Sequence, residues 1–95
     1  MTTHELKSWP EYFERLVLGH KTFELRREDD RKFAVGDLLR LREWKPEPPD
    51  YKTGHYTGRT LNRRVLSVMG SKGGILPLAG ALGDGWVILS IQVAA

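Results

Sequence analysis

The stretch Gly19-His20-Lys21-Thr22-Phe23-Glu24-Leu25-Arg26 decides the fold, because it marks the junction between a helix and a strand. Upstream of it, apolar residues recur at helical spacing and predict one buried stripe: Trp9, Phe13, Leu16 and Val17. Gly19 is typical of a left-handed helix cap. From residue 22 to residue 28, apolar and polar side chains alternate as they do in a strand. Glu24 and Arg26 are therefore predicted to share one face of a strand that begins directly after the helix.

The rest of the chain predicts a mainly β domain around this junction. The helix is expected to begin near Ser8, because Ser8 and Glu11 have the spacing of a capping box and Pro10 is tolerated in a first turn. Strands are predicted at residues 5–7, 22–28, 38–44, 59–68 and 86–93, with a turn at 35–37 and loops at 45–58 and 70–85. The prolines at positions 46, 48 and 49 are expected to interrupt regular structure. The prediction is one α+β domain, residues 1–95: a small, partly open β-barrel with one main helix packed beside it.

Composition limits the chemistry that the chain could carry. It has no cysteine, which excludes disulfides, thiolate metal sites and cysteine nucleophiles. The net charge of +3 permits an anionic partner without requiring one. The three histidines have no metal-ligand spacing, so neither a metal nor a cofactor is predicted. No signal-peptide pattern and no apolar run long enough for a bilayer is found, so we expect a cytoplasmic protein without a membrane partner.

The central stretch also carries a family resemblance. Gly19, Lys21, Glu24 and Arg26 match the GxKxxExR motif of the ASCH domain, which has a PUA-like fold. The wider sequence resembles DUF3850, a family of small ASCH-like domains from bacteria and phages. Further matching blocks are His4-Glu5-Leu6-Lys7, Trp9-Pro10, Val35-Gly36-Asp37, Leu41-Arg42-Glu43-Trp44, Tyr56-Thr57-Gly58-Arg59 and Gly85-Trp86-Val87-Ile88-Leu89. The resemblance implies a PUA-like barrel that binds RNA or a nucleotide in a cleft between helix and barrel.

The motif residues are the first candidate site. Lys21 lies just past the turn, and Glu24 and Arg26 lie two residues apart on one strand face. A cation, a carboxylate and a guanidinium at one cleft can address a base edge and a phosphate together. The resemblance places His4 and Lys7 beside the same cleft. The alternatives are a surface ion-pair cluster and, for His4, an exposed histidine near the terminus.

Trp44, Tyr56 and Arg59 form a second candidate group. Aromatic rings among cations suit single-stranded RNA, because bases stack on the rings while the cations bind phosphates. The alternative is that Trp44 and Tyr56 close one end of the core. Arg63 and Arg64 are expected on a solvated strand face.

Three functions remain open from the sequence. The first is binding of RNA, preferably single-stranded, or of a nucleotide-like ligand. The second is a hydrolase for modified nucleosides or RNA, with Lys21 and Glu24 as the catalytic pair. Some ASCH-like proteins are amidohydrolases acting on acylated cytidine nucleosides, and the resemblance implies a role for Lys21; Glu24 departs from the threonine that they have at its position. The third is a protein-interaction module of phage or mobile-element origin.

Overall fold

A computed structural model describes residues 1–28, 31–70 and 85–93. The elements are β1 (Thr3–Ser8), α1 (Pro10–Val17), β2 (Phe23–Arg27), β3 (Leu38–Glu47), β4 (Thr53–Gly70) and β5 (Trp86–Ile91). The five strands form one sheet in the order β1-β3-β4-β5-β2, in which β1 and β3 are parallel and the other pairs antiparallel. Over these described residues the fold is mainly β with one short helix, as predicted, and the sheet is open. Most of the loop predicted at residues 70–85 lies outside the described residues.

The core follows the alternation of the strands. Its members come from five elements and from the segment before β3: Leu6, Leu16, Phe33, Leu39, Leu41, Val65, Val87, Leu89 and Ile91. In α1 the buried residues are Phe13 and Leu16, while Trp9 and Val17 are partly exposed, so the predicted apolar stripe is narrower than expected. In the part of the chain that the structure describes, no helix is long and apolar enough to cross a bilayer.

The beginning of α1 differs from the capping-box prediction. Ser8 is the last residue of β1 and is paired in parallel with Glu43, so its backbone is committed to the sheet. Trp9 occupies the cap position, with extended backbone and no side-chain cap bond, and Pro10 is the first helical residue. The physical reason is that the residue before a proline avoids the helical region, while proline itself is well suited to the first turn. At the other end, Gly19 has a φ of 77°, which confirms the left-handed cap.

The prediction of a loop at residues 45–58 is wrong, because most of this segment forms a β-hairpin. β3 continues through Pro46 to Glu47 and pairs with β4, Pro46 lying opposite Gly54. Proline is tolerated there because β1 pairs with β3 only as far as Glu43, which leaves an edge where the missing N–H removes no ladder bond.

The sheet is curled because β4 pairs with β3 along its first part and with β5 along its second part. Its first part pairs with β3 up to Arg64, and its second part pairs with β5 from Val65, with a register shift between Val65 and Ser67. Such irregularities bend a strand and increase its twist. The two edge strands are thereby brought close enough for Arg26 of β2 to donate from Nη2 to the carbonyl of Lys7 in β1, at 2.8 Å.

Arg63 and Arg64 were expected on a solvated strand face, but both donate hydrogen bonds to backbone carbonyls. Arg63 is buried and donates to the carbonyl of Asn62, at 2.9 Å. Arg64 donates to the carbonyl of Gly36, at 2.7 Å, in the turn before β3. Both side chains therefore support the backbone, which the local sequence pattern did not indicate.

Candidate functional site

A cleft of about 540 Å³ lies between the beginning of α1 and the edge strand β2. Its charged lining residues are Lys7, Lys21, Glu24 and Arg26. Its aromatic and apolar lining residues are Trp9, Tyr12, Phe23 and Leu25, and Ser8 completes it. The helix-to-strand junction read in the sequence therefore forms one wall of a concave site.

Glu24 is the centre of the charged group. It is only 2% exposed, and Lys21 Nζ lies 2.8 Å from its Oε1 while Arg26 Nη2 lies 2.9 Å from its Oε2. Arg26 Nε also donates to Oε2, at 3.0 Å. On β2 the charged face points inward, whereas Phe23 and Leu25 on the other face remain exposed. A buried carboxylate is tolerated here because both of its oxygens are paired with cations.

The cleft combines positive charge with aromatic surface. Among the described lining residues, three cations face one carboxylate, so the site favours an anion. Lys21 Nζ lies 5.5 Å from the ring centroid of Tyr12 and 5.6 Å from that of Phe23. The site can therefore hold a negative group beside exposed rings on which a planar group could stack.

Lys7 and His4 have different surroundings, although both precede the helix. Lys7 lines the cleft, its carbonyl accepts from Arg26, and its Nζ lies 4.4 Å from the ring centroid of Trp44. His4 faces the interior and does not line the cleft: it is 5% exposed, and its ring lies 4.6 Å from that of Phe33. Neither the expected cleft position nor the alternative of an exposed histidine describes His4.

The partner of His4 is Asp37, whose Oδ2 lies 2.9 Å from His4 Nε2. Asp37 also accepts from the backbone N–H groups of Thr2 and Ala34. The hydrogen bond from His4 lowers the pKa of the Asp37 carboxyl below its ordinary value, together with these backbone bonds and against the opposing effect of burial. This group fixes the parallel pairing of β1 and β3 rather than contributing to the cleft.

The second candidate group does not join the cleft. Trp44 is buried, at 8% exposed, but does not belong to the main core cluster. Tyr56 is exposed, but its ring packs against the guanidinium of Arg42, 3.7 Å away. Arg59 binds Glu14, at 3.2 Å, and lies over the ring of Phe13. These three residues lie around β3, β4 and α1, outside the cleft lining.

Sequence reasoning missed two kinds of residue. Tyr12 lines the cleft, and its position next to the buried Phe13 was the available signal, since neighbouring helical residues point in different directions. Glu43 is buried, and Thr57 Oγ1 donates to it at 2.6 Å. Glu43 and Trp44 are consecutive and both buried because the register shifts between Arg42 and Trp44, which no alternation pattern predicts. Within the described ranges, no three His, Asp or Glu side chains are grouped to hold a metal ion.

Comparison with known proteins gives a family and a phage relative. A family model described as a domain of unknown function, DUF3850, matches residues 3–91. A protein of Escherichia phage P2, described as an uncharacterized 12.9 kDa protein in the GpA 3′ region, is 35% identical over 65 residues. That alignment covers 68% of this chain and 52% of the phage protein, so the chain spans about half of the length of that relative. The family match includes every residue that lines the cleft.

Proposed function

The chain belongs to the DUF3850 family, and from the geometry of its cleft we propose that the domain binds RNA or a nucleotide-like ligand, preferring single-stranded RNA. The observation that carries this proposal is the buried Glu24, held between Lys21 and Arg26 at the base of an aromatic-walled cleft. The PUA-like classification implied by the GxKxxExR motif is part of the same proposal.

In this proposal, Glu24 positions the two cations and the cations bind the ligand. Lys21 and Arg26 each keep donors beyond those given to Glu24, since an ammonium has three N–H groups and a guanidinium has five. Both side chains are mostly shielded from solvent, which strengthens their attraction for a phosphate. Their pairing with Glu24 also preorganises them, so that less side-chain entropy is lost on binding.

The exposed rings at the cleft support the preference for unpaired bases. Trp9, Tyr12 and Phe23 all retain accessible surface at the cleft. Bases of a single strand can be splayed out and stacked on such rings, whereas the bases of a duplex are held in their own stack.

The test is a titration with a labelled single-stranded RNA and the matching duplex at two salt concentrations. Lys21→Ala and Arg26→Ala should weaken single-strand binding and lower the salt dependence by roughly one unit for each lost phosphate contact. Arg15→Ala is the matched control, because Arg15 is an exposed cation on the helix and does not line the cleft. Arg64 is unsuitable as a control, since its side chain supports the backbone at Gly36.

Two results would contradict the proposal. Equal affinities of all three variants and the wild type would leave only nonspecific charge attraction. An equal preference for duplex and single strand would remove the role of the exposed rings.

One observation favours a second candidate, the hydrolase. Lys21 Nζ and Glu24 Oε1 are 2.8 Å apart in a cleft that could hold a nucleoside, and a lysine beside a carboxylate can transfer protons. Against it, the second oxygen of Glu24 is paired with Arg26. Turnover of a modified nucleoside that ceases in Lys21→Ala, without binding of RNA, would favour the hydrolase over the binding module.

A further inference from the structure

A second depression lies next to the cleft, on the outer face of β1 and β3. It encloses about 560 Å³, and its lining includes Glu5, Lys7, Arg26, Arg31, Arg42 and Tyr56. Lys7 and Arg26 also line the cleft, so the two sites share one boundary. That boundary is the point at which Arg26 Nη2 donates to the Lys7 carbonyl and bridges the two edge strands.

The depression is positively charged, like the cleft. Among its described lining residues, the cations Lys7, Arg26 and Arg42 outnumber one carboxylate, that of Glu5. Arg31 also lines the depression and donates to the carbonyl of Glu5, at 3.4 Å. The Glu5 carboxylate is itself directed toward Arg40, whose Nε lies 3.5 Å from Oε1. The depression therefore has a surplus of positive charge at which a polyanion is favoured.

Arg42 is one of the cations that line the depression. It is paired in register with Lys7 on the neighbouring strand, which places the two cations side by side on the outer face. Its guanidinium packs against the ring of Tyr56, at 3.7 Å from the centroid. A guanidinium held flat in this way keeps its N–H edge for a phosphate.

We propose that the depression binds a second phosphate of the ligand whose first phosphate and base occupy the cleft. The ligand class is then a single-stranded oligonucleotide that crosses the boundary formed by Lys7 and Arg26, and not a mononucleotide. This inference rests on the proposed function of the cleft and names the size and path of its ligand.

The test compares Arg42→Gln with Lys45→Gln, which are two charge-removing substitutions on the same strand. Lys45 is the matched control because it is exposed and does not line the depression. Arg40 is unsuitable, since it pairs with the Glu5 carboxylate that lines the depression. The probes are uridine 5′-monophosphate and a single-stranded oligouridylate of about six nucleotides, a length within the usual footprint of small single-strand binders. Arg42→Gln should weaken oligouridylate binding about tenfold and lower its salt dependence by about one unit, while leaving mononucleotide binding unchanged. Arg42→Lys should restore the salt dependence, and Lys45→Gln should have neither effect.

The remaining outcomes separate this inference from the proposed function. If Lys21→Ala weakens oligouridylate binding but Arg42→Gln behaves like Lys45→Gln, the second phosphate site is wrong and the cleft proposal stands. If Arg42→Gln weakens binding of the mononucleotide as much as binding of oligouridylate, both sites hold one nucleotide and the proposed path of an oligonucleotide is wrong. If neither probe binds to the wild type, both proposals are wrong.

Discussion

At the scale of single residues, this small domain buries several polar side chains. Among the described residues, every buried side-chain nitrogen or oxygen has a hydrogen-bond partner. Glu24 is satisfied by neighbours in its own motif, whereas Asp37 is satisfied by residues from two segments, the amino-terminal strand and the turn before β3. An unpaired buried carboxylate costs several kcal/mol, so these partners decide which way the side chains face.

The Asp37 group predicts a pH-dependent stability. Because its pKa is lowered in the folded state from an ordinary value of 3.8, the unfolded chain binds the proton more readily. Asp37 therefore stabilises the fold fully above that value, and the contribution is lost as the pH falls below it toward the lowered pKa. Asp37→Asn should reduce the free energy of unfolding by about 1–3 kcal/mol at neutral pH, and the difference from the wild type should shrink in acid.

Urea unfolding of both proteins across this pH range checks the expectation. Asp50→Asn is the control, since Asp50 also accepts a backbone N–H, from Lys52, but lies in an exposed turn. A difference for Asp37→Asn that stays constant from neutral to acidic pH would show that charge at this position does not contribute.

Residues of the site were predictable to the extent that their contacts are local. Lys21, Glu24 and Arg26 lie within six positions of one another, so the strand period alone brings two of them to one face. The pair of His4 and Asp37 is separated by 33 positions, and no local pattern joins them. The same holds for Arg42 and Tyr56, which meet only because β3 and β4 form a hairpin.

At the scale of elements, the hairpin of β3 and β4 shows why the loop prediction failed. Proline and glycine lowered the strand expectation for this segment, but their effect depends on position. Pro46 lies where β3 has no second neighbour, and Gly54 lies where the backbone of Lys45 and the side chain of Trp44 leave no space for a Cβ. A Cβ at Gly54 would meet the carbonyl oxygen of Lys45 and lie 2.7 Å from Trp44 Cζ2. The glycine is therefore required for packing within the strand.

Gly54→Ala tests this explanation. The methyl group has no room against the backbone of Lys45, so the hairpin must shift and Trp44 must move from its buried position. We expect a loss of about 1–3 kcal/mol in the free energy of unfolding, the usual cost of overpacking, with a change in tryptophan fluorescence. Thr53→Ala, at the neighbouring exposed position, should change little. A Gly54→Ala protein as stable as Thr53→Ala would contradict the close packing.

At the scale of the whole molecule, the open sheet is held in its curled shape by side chains. The edge strands β1 and β2 lie at opposite ends of the strand order, yet Arg26 connects them through Glu24 and the Lys7 carbonyl. The sequence predicted a partly open barrel from its strand count, but it could not show this connection, since the carbonyl of Lys7 lies 19 positions away from Arg26. The same arginine lines both the cleft and the depression, so the shape of the sheet and the proposed ligand path depend on one residue.

Arg26→Lys should loosen this curled shape while keeping the charge. A single ammonium replaces a guanidinium whose Nε and Nη2 bind Glu24 Oε2 and whose Nη2 also reaches the Lys7 carbonyl, so the planar, two-pronged geometry is lost. We expect the free energy of unfolding to fall by about 1–2 kcal/mol.

The strands in which protection from hydrogen exchange is lost distinguish this explanation from general destabilisation. Backbone hydrogen exchange should become faster in β1 and β2, the strands that Arg26 connects, and remain slow where β3 pairs with β4 in the middle of the sheet. Arg40→Lys is the matched control, because Arg40 is an arginine on the exposed face of β3 that pairs with Glu5 and not with β2. Exchange that rises equally in all strands would indicate general destabilisation, and exchange that does not change in β1 would show that something other than Arg26 holds this edge. Faster exchange confined to β1 and β2 would instead mean that the curvature of the whole sheet depends on the same contact that separates the cleft from the basic depression.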